Sequence, residues 1–181
     1  KVDRRNRIST RADTYSFQQA ISEDDEEAYQ LIGSANLASG TVTPLILKNT
    51  SATKNIIVSY IRHQIVGSAG GTAFPNTLNY FKLSKDTKYS SGGTSVSAVN
   101  VNVGSAKIAE LAAYTSNPTV SGSATELDRW YIKADGDMNT WSKDGDLIVQ
   151  PGQSLQFSYV GDKTSGIIFT RISFLMDAPR R

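Results

Sequence analysis

Two short strands joined by a tight corner are indicated by residues 146–159, which read DLIVQPGQSLQFSY. Pro151 fixes the backbone angle φ that the start of a turn needs, and Gly152 tolerates the positive φ that follows it. The residues on either side, 146–150 and 154–159, are rich in the apolar and aromatic side chains that favour strands. This stretch therefore predicts a strand, a corner and a second strand.

Similar runs recur along the chain from Ala28 onward, with Gly, Ser, Thr, Asn and Pro at the breaks between them. The clearest alternation is VNVNV at residues 99–103, where the three valines are expected to face the core and the asparagines the other side. The whole pattern predicts about ten strands, at residues 29–32, 42–48, 55–66, 78–83, 95–103, 107–114, 129–133, 146–150, 154–160 and 167–176.

Strands of this length and spacing predict an all-β fold, an antiparallel sandwich of two sheets whose inner faces supply one core. A chain of 181 residues is long enough for one well-buried domain. We expect a jelly roll rather than an immunoglobulin-like sandwich, because the chain lacks cysteine and its strand count is high.

The first 27 residues are predicted to be an extended, charged N-terminal arm, with the β-sandwich domain following at residues 28–181. The arm carries Arg4, Arg5, Arg7 and Arg11, which we expect to dock onto a partner by charge. Five consecutive acids follow at residues 23–27, and such a run repels itself and disfavours burial. Because the arginines are few and precede these acids, a protein surface is the expected partner and nucleic acid is not.

Catalytic groupings are not indicated by the sequence. With no cysteine and one histidine, the chain cannot build a thiolate site or a zinc site with several histidines. A Ser-His-Asp triad would lack its usual G-x-S-x-G elbow. His63 follows Ile61 and precedes Ile65 on a predicted strand, so we expect a packed or hydrogen-bonded sheet residue. The protein is therefore predicted not to be an enzyme, and no apolar run approaches the length of a membrane span.

One segment has the spacing of a calcium-binding loop. Asp135, Asp137, Asn139 and Asp146 occupy the first, third, fifth and twelfth places of that pattern. Thr140 stands where the pattern needs glycine, and a plain hairpin turn explains the same acid-glycine pairs. No cofactor is expected, with calcium as the one candidate ion.

The same segment contains Trp141, which we expect to lie in a polar loop and to be exposed. An aromatic ring beside acids and amides is a common way to bind a sugar, so Trp141 is a candidate glycan contact. Trp130 precedes Tyr131 and Ile132 on a predicted strand and is expected in the core. The alternative function is therefore a carbohydrate-binding or receptor-binding module of a fibre or tail.

Residues 44–58, PLILKNTSATKNIIV, resemble a stretch that recurs in virion proteins of tailed bacteriophages. Residues 147–159 are similar to the Pro-Gly corner of jelly-roll virion and fibre-head domains. The resemblance implies a structural protein of the virion, such as a head decoration or cement protein, a head fibre or a tail component. It also implies a homotrimer that attaches to the capsid through its N-terminal arm. A small coat protein with a basic arm is a further viral alternative.

Overall fold

The computed structural model describes residues 26–67, 79–132 and 138–177, except for the side chains of residues 142–146. The described residues contain strands, turns and bends, and no helix that could cross a membrane. The strands are β1 (Ala28–Asn36), β2 (Gly40–Asn49), β3 (Asn55–Val66), β4 (Tyr80–Lys85), β5 (Lys88–Ser91), β6 (Thr94–Ser95), β7 (Val99–Asn100), β8 (Leu111–Thr115), β9 (Thr119–Ser121), β10 (Thr125–Tyr131), β11 (Met138–Val149), β12 (Ser154–Gly161) and β13 (Ile167–Asp177).

Two antiparallel sheets form the sandwich. Sheet I has the strand order β11-β3-β13-β1-β7, and sheet II has the order β10-β4-β12-β2-β8-β6. A separate ribbon pairs β5 with β9. The prediction of an all-β, antiparallel two-sheet fold is confirmed.

The strand pairing is that of a jelly roll. The first four strands pair with the last four in reverse order, as β1–β13, β2–β12, β3–β11 and β4–β10. Successive strands in each of these two sets alternate between the sheets, as in a hairpin folded over on itself. Residues 86–124 are inserted between β4 and β10, and they supply the edge strands β6 and β7, the strand β8 beside β2, and the β5–β9 ribbon.

The corners between the two sheets contain the turn residues that the sequence indicated. Pro151 and Gly152 form the corner that takes the chain from β11 in sheet I to β12 in sheet II, and Gly152 has a φ of 79°. In the corner between β2 and β3, the buried Asn49 amide donates to the carbonyl oxygens of Lys54 and Val149. Its Oδ1 atom accepts from the backbone N–H of Ser51, so the buried amide is fully bonded.

The predicted strand at 55–66 matches β3, and the last two predicted strands lie within β12 and β13. The single strand predicted at 95–103 is wrong, because the chain there forms two-residue strands followed by bends and a turn at 101–104. The region around Trp141 also differs, because β11 begins at Met138 and pairs along most of the twelve-residue β3. The short strands β5 and β9 were not predicted.

Candidate functional site

Most of the residues predicted to contact partners or ions lie outside the described residues. This is so for Arg4, Arg5, Arg7 and Arg11 in the arm, and for Asp135 and Asp137 in the calcium pattern. Asn139 lies half-buried on β11 opposite His63, and Asp146 lies on the same strand with an undescribed side chain. Within the ranges that the structure describes, no three acidic or histidine side chains gather as metal ligands would.

Trp141 lies on β11, not in a polar loop, and the predicted loop is wrong at this point. The residue pairs with Ile61 of β3, is half-buried and packs against the main core. The acid-glycine pairs around Trp141 indicated a turn. Instead, β11 pairs with β3 as far as Met138, which lies opposite Gln64. Trp130 packs against the core from β10, as predicted.

His63 is a core residue, as its position on a predicted strand indicated. Its side chain is 1% exposed, and Nδ1 lies 3.0 Å from the Thr170 hydroxyl oxygen. The ring stacks on Phe81 with a centroid distance of 4.4 Å. Burial lowers the pKa of His63 to about 3, so the ring is neutral near pH 7 and is enclosed away from any substrate.

Residues 99–108, here called the valine loop, expose large apolar side chains at the edge of sheet I. Val99 is 69% exposed, Val103 is 98% exposed and Ile108 is 79% exposed. Asn100 and Asn102, between the valines, are the more buried side chains. The predicted orientation of this alternation is therefore wrong, since the asparagines turn inward and the valines face solvent.

Hydrogen bonds of Asn100 explain this inversion. Its Oδ1 atom accepts from the Asn102 backbone N–H at 2.8 Å, and its Nδ2 atom donates to the Glu26 carbonyl oxygen at 2.7 Å. The Val101 backbone N–H donates to the Ala28 carbonyl oxygen. Because an asparagine amide can replace backbone partners in this way, the loop has a polar interior that leaves its valines outside.

A charged cluster anchors the valine loop to the sandwich. The buried Glu27 carboxylate lies 2.7 Å from Lys54 Nζ and 3.7 Å from Nζ of Lys107, which belongs to the loop. Burial and the hydrogen bond that the Tyr29 hydroxyl donates to Glu27 raise the pKa of Tyr29. The expectation that the acidic run avoids burial is wrong at Glu27, because the two lysines offset its charge.

A cleft of about 630 Å³ lies between the insertion and the outer face of sheet II. We call it the tyrosine cleft, because Tyr89 of β5 and Tyr114 of β8 line it and stack with a centroid distance of 3.6 Å. Ile46 is part of the lining and pairs with Tyr114 across β2 and β8. The sequence pattern did not indicate this cleft, because its residues come from four separate parts of the chain.

No protein-family model and no curated protein matches the chain. The fold alone therefore defines its class, which is a jelly-roll β-sandwich with a long insertion between β4 and β10.

Proposed function

We propose that this protein is a non-enzymatic structural protein of a virus particle, which decorates or cements the capsid or joins another head-associated assembly. The proposal includes assembly as a homotrimer, as the resemblance to tailed-bacteriophage virion proteins implies. The jelly-roll topology supports it, because this architecture recurs in viral capsid domains. The enclosed, neutral His63 fits a role without catalysis.

The valine loop is the observation that carries this proposal. Monomeric proteins rarely leave neighbouring large apolar side chains in water, and such groups usually mark a contact with another molecule. Val99, Val101, Val103 and Ile108 lie within ten residues of one another and are all exposed. We infer that a second copy of the chain covers them, since β7 is an edge strand and cyclic symmetry buries such edges.

The loop is held in a defined shape before any partner arrives. The hydrogen bonds of Asn100 and the ion pair between Lys107 and Glu27 fix it to the start of β1. A surface that is already ordered loses less conformational entropy on association. This favours a permanent contact surface over a loop that is exposed by chance.

The described chain begins beside the valine loop. Residues 1–25 join the described chain at Glu26, whose carbonyl oxygen accepts the hydrogen bond from Asn100. The segment that carries Arg4, Arg5, Arg7 and Arg11 therefore connects to the domain beside the apolar surface. We propose that the loop joins the copies of the trimer while the arm attaches the trimer to the particle.

The experiment compares the parent protein with a variant that carries Val99→Ser, Val101→Ser and Val103→Ser. Light scattering at micromolar concentration should give the mass of a trimer for the parent and of a monomer for the variant. Ile148→Ser is the matched control, because Ile148 is 51% exposed on β11, at the opposite edge of sheet I. A monomeric parent, or a variant that keeps the parent's mass, would contradict the proposed assembly.

A further inference from the structure

The tyrosine cleft has the size and the composition of a small-molecule site. Its volume of about 630 Å³ lies within the usual range for ligand pockets, roughly 300–1,000 Å³. Its floor is the outer face of sheet II, where Ile46 and Tyr114 lie side by side on neighbouring strands. The segment from Asp86 to Tyr89 and the corner at Gly152 and Gln153 complete the lining.

The stacked rings of Tyr89 and Tyr114 line the cleft and cover each other on their facing sides. The rings of Tyr89 and Tyr114 are within 3° of parallel, and the Tyr89 hydroxyl donates to the Gly92 carbonyl oxygen. The Tyr89 ring is therefore held by its stacking on Tyr114 and by the hydrogen bond of its hydroxyl group. A tyrosine ring that is already held rigid loses little conformational entropy when a ligand binds. Its apolar carbons can contact the carbon face of a sugar, and its hydroxyl group can bond to the sugar's oxygens.

Thr87 supplies an unused hydrogen-bonding group in the cleft lining. The residue is 2% exposed, and its hydroxyl has no hydrogen-bond partner within the described ranges. A buried hydroxyl without a partner costs free energy, so a ligand oxygen that reaches the Thr87 hydroxyl from the cleft would offset that cost. Ser158 is a useful comparison, because its hydroxyl is also buried and unbonded but lies outside the cleft lining.

Charge in the cleft favours an anion. Lys48 and Lys88 both line it, both are exposed, and neither forms an ion pair in the part of the chain that the structure describes. Asp86 is the one acidic residue among the described residues of the lining, and Gln153 and Ser154 add neutral polar groups. Two ammonium groups beside one carboxylate make the net charge of the described lining positive.

We propose that the tyrosine cleft binds an anionic saccharide, a sugar that carries a carboxylate or a phosphate group. The tyrosine pair and Ile46 contact the carbon face of the sugar, the Thr87 hydroxyl bonds to one of its oxygens, and Lys48 and Lys88 bind its anionic group. This binding activity goes beyond the proposed structural role. It uses none of the residues of the valine loop, so either proposal can fail without the other.

The test is a calorimetric titration of the full chain with glucuronic acid, glucose 6-phosphate, glucose and inorganic phosphate. The two anionic sugars should bind, whereas glucose and phosphate should each bind at least about tenfold more weakly, equivalent to 1.4 kcal/mol. Binding of phosphate as strong as that of glucose 6-phosphate would overturn the saccharide assignment. Equal binding of glucose and glucuronic acid would overturn the role of the lysines, and failure of both anionic sugars to bind would overturn the site.

Thr87→Val tests the role of the Thr87 hydroxyl group in binding. Because it removes an unbonded buried hydroxyl, it should leave the unfolding temperature unchanged or raise it, while it weakens binding of the anionic sugars about tenfold. Ser158→Ala is the control, which should not lower the unfolding temperature and should keep full binding. Lys88→Ser, an exposed change that does not threaten folding, should reduce the preference for glucuronic acid over glucose. Unchanged binding in both Thr87→Val and Lys88→Ser would overturn the proposal.

Discussion

His63 shows how one polar residue is accommodated in the core. It follows Ile61 and precedes Ile65 in the inward pattern of β3, and all three side chains are buried. Its partner Thr170 lies 107 residues away on β13. The sequence could therefore predict that His63 packs in a sheet, because strand and isoleucine neighbours are local features. It could not predict the partner, which depends on the pairing of β3 with β13.

The buried imidazole should make stability depend on pH. The unfolded chain binds a proton at His63 near pH 6.5, and the folded chain does so only near pH 3. The contribution of His63 to the free energy of unfolding is therefore fully present above pH 6.5. It decreases by roughly 1.4 kcal/mol per pH unit as the pH falls from 6.5 towards 3. Urea unfolding at about pH 7 and about pH 5 should show a larger loss in the parent than in His63→Phe.

A second observable checks the same pKa. His63 is the one histidine of the chain, so its imidazole NMR signals are unambiguous. They should stay at the neutral position as the pH falls through 6.5. A titration midpoint near that value would show that the ring is open to water, and would contradict its place in the core.

Gly33 marks a close approach between β1 and β2. A Cβ atom there would lie 2.5 Å from the Pro44 carbonyl oxygen and 2.8 Å from Leu45 Cβ. Backbone and core atoms cannot easily move aside, so Gly33→Ala should lower the free energy of unfolding by about 1–3 kcal/mol. Ser34→Ala on the same strand should change it by less than about 0.5 kcal/mol. Equal chemical denaturation midpoints for the two variants would contradict this packing.

At the scale of elements, the success of the sequence reasoning depends on how local the determining interactions are. Strand β3 was predicted at its observed bounds because apolar side chains recur along it and turn residues lie at its ends. The valine loop was misread because the side-chain bonds of Asn100 outweighed the burial of three valines. The tyrosine cleft depends on β5 and β9, two short strands with no distinctive pattern of their own.

Asn100 should prove to be the residue that shapes the valine loop. Asn100→Ala removes the bonds to Glu26 and Asn102, so it should lower the free energy of unfolding by about 1 kcal/mol. Hydrogen exchange at the Val101 amide should also become faster. Asn102→Ala is the control, because that side chain makes no hydrogen bond within the described ranges. Equal exchange rates at Val101 in both variants would argue against this role.

At the scale of the whole molecule, the sequence predicted the two-sheet sandwich but not the long insertion between β4 and β10. Many short strands, specific turn residues and the absence of cysteine sufficed for a jelly-roll-like sandwich. The insertion at 86–124 was not predicted, although it contains the valine loop and contributes part of the lining of the tyrosine cleft. Its strands join the edges of both sheets, and such long-range pairing leaves little trace in the local pattern.

Removal of residues 1–25 should separate folding from attachment. The deletion keeps Glu26 and Glu27, which bond to the sandwich, so the unfolding temperature should stay close to that of the parent. Binding to particles should be lost. Replacing Arg4, Arg5 and Arg7 together by Ser should also weaken binding to particles. Binding of the parent protein should decrease as the salt concentration rises. A deletion that unfolds the domain would mean that the segment belongs to the core.

Gradient sedimentation of a lysate from cells that produce the chain naturally, followed with an antibody to it, tests the proposed structural role most directly. If the protein is a component of a virus particle, it should sediment with material of capsid size, in a fixed ratio to the major shell protein. Recovery of the whole population at the top of the gradient, with capsid-sized fractions free of it, would contradict the proposal.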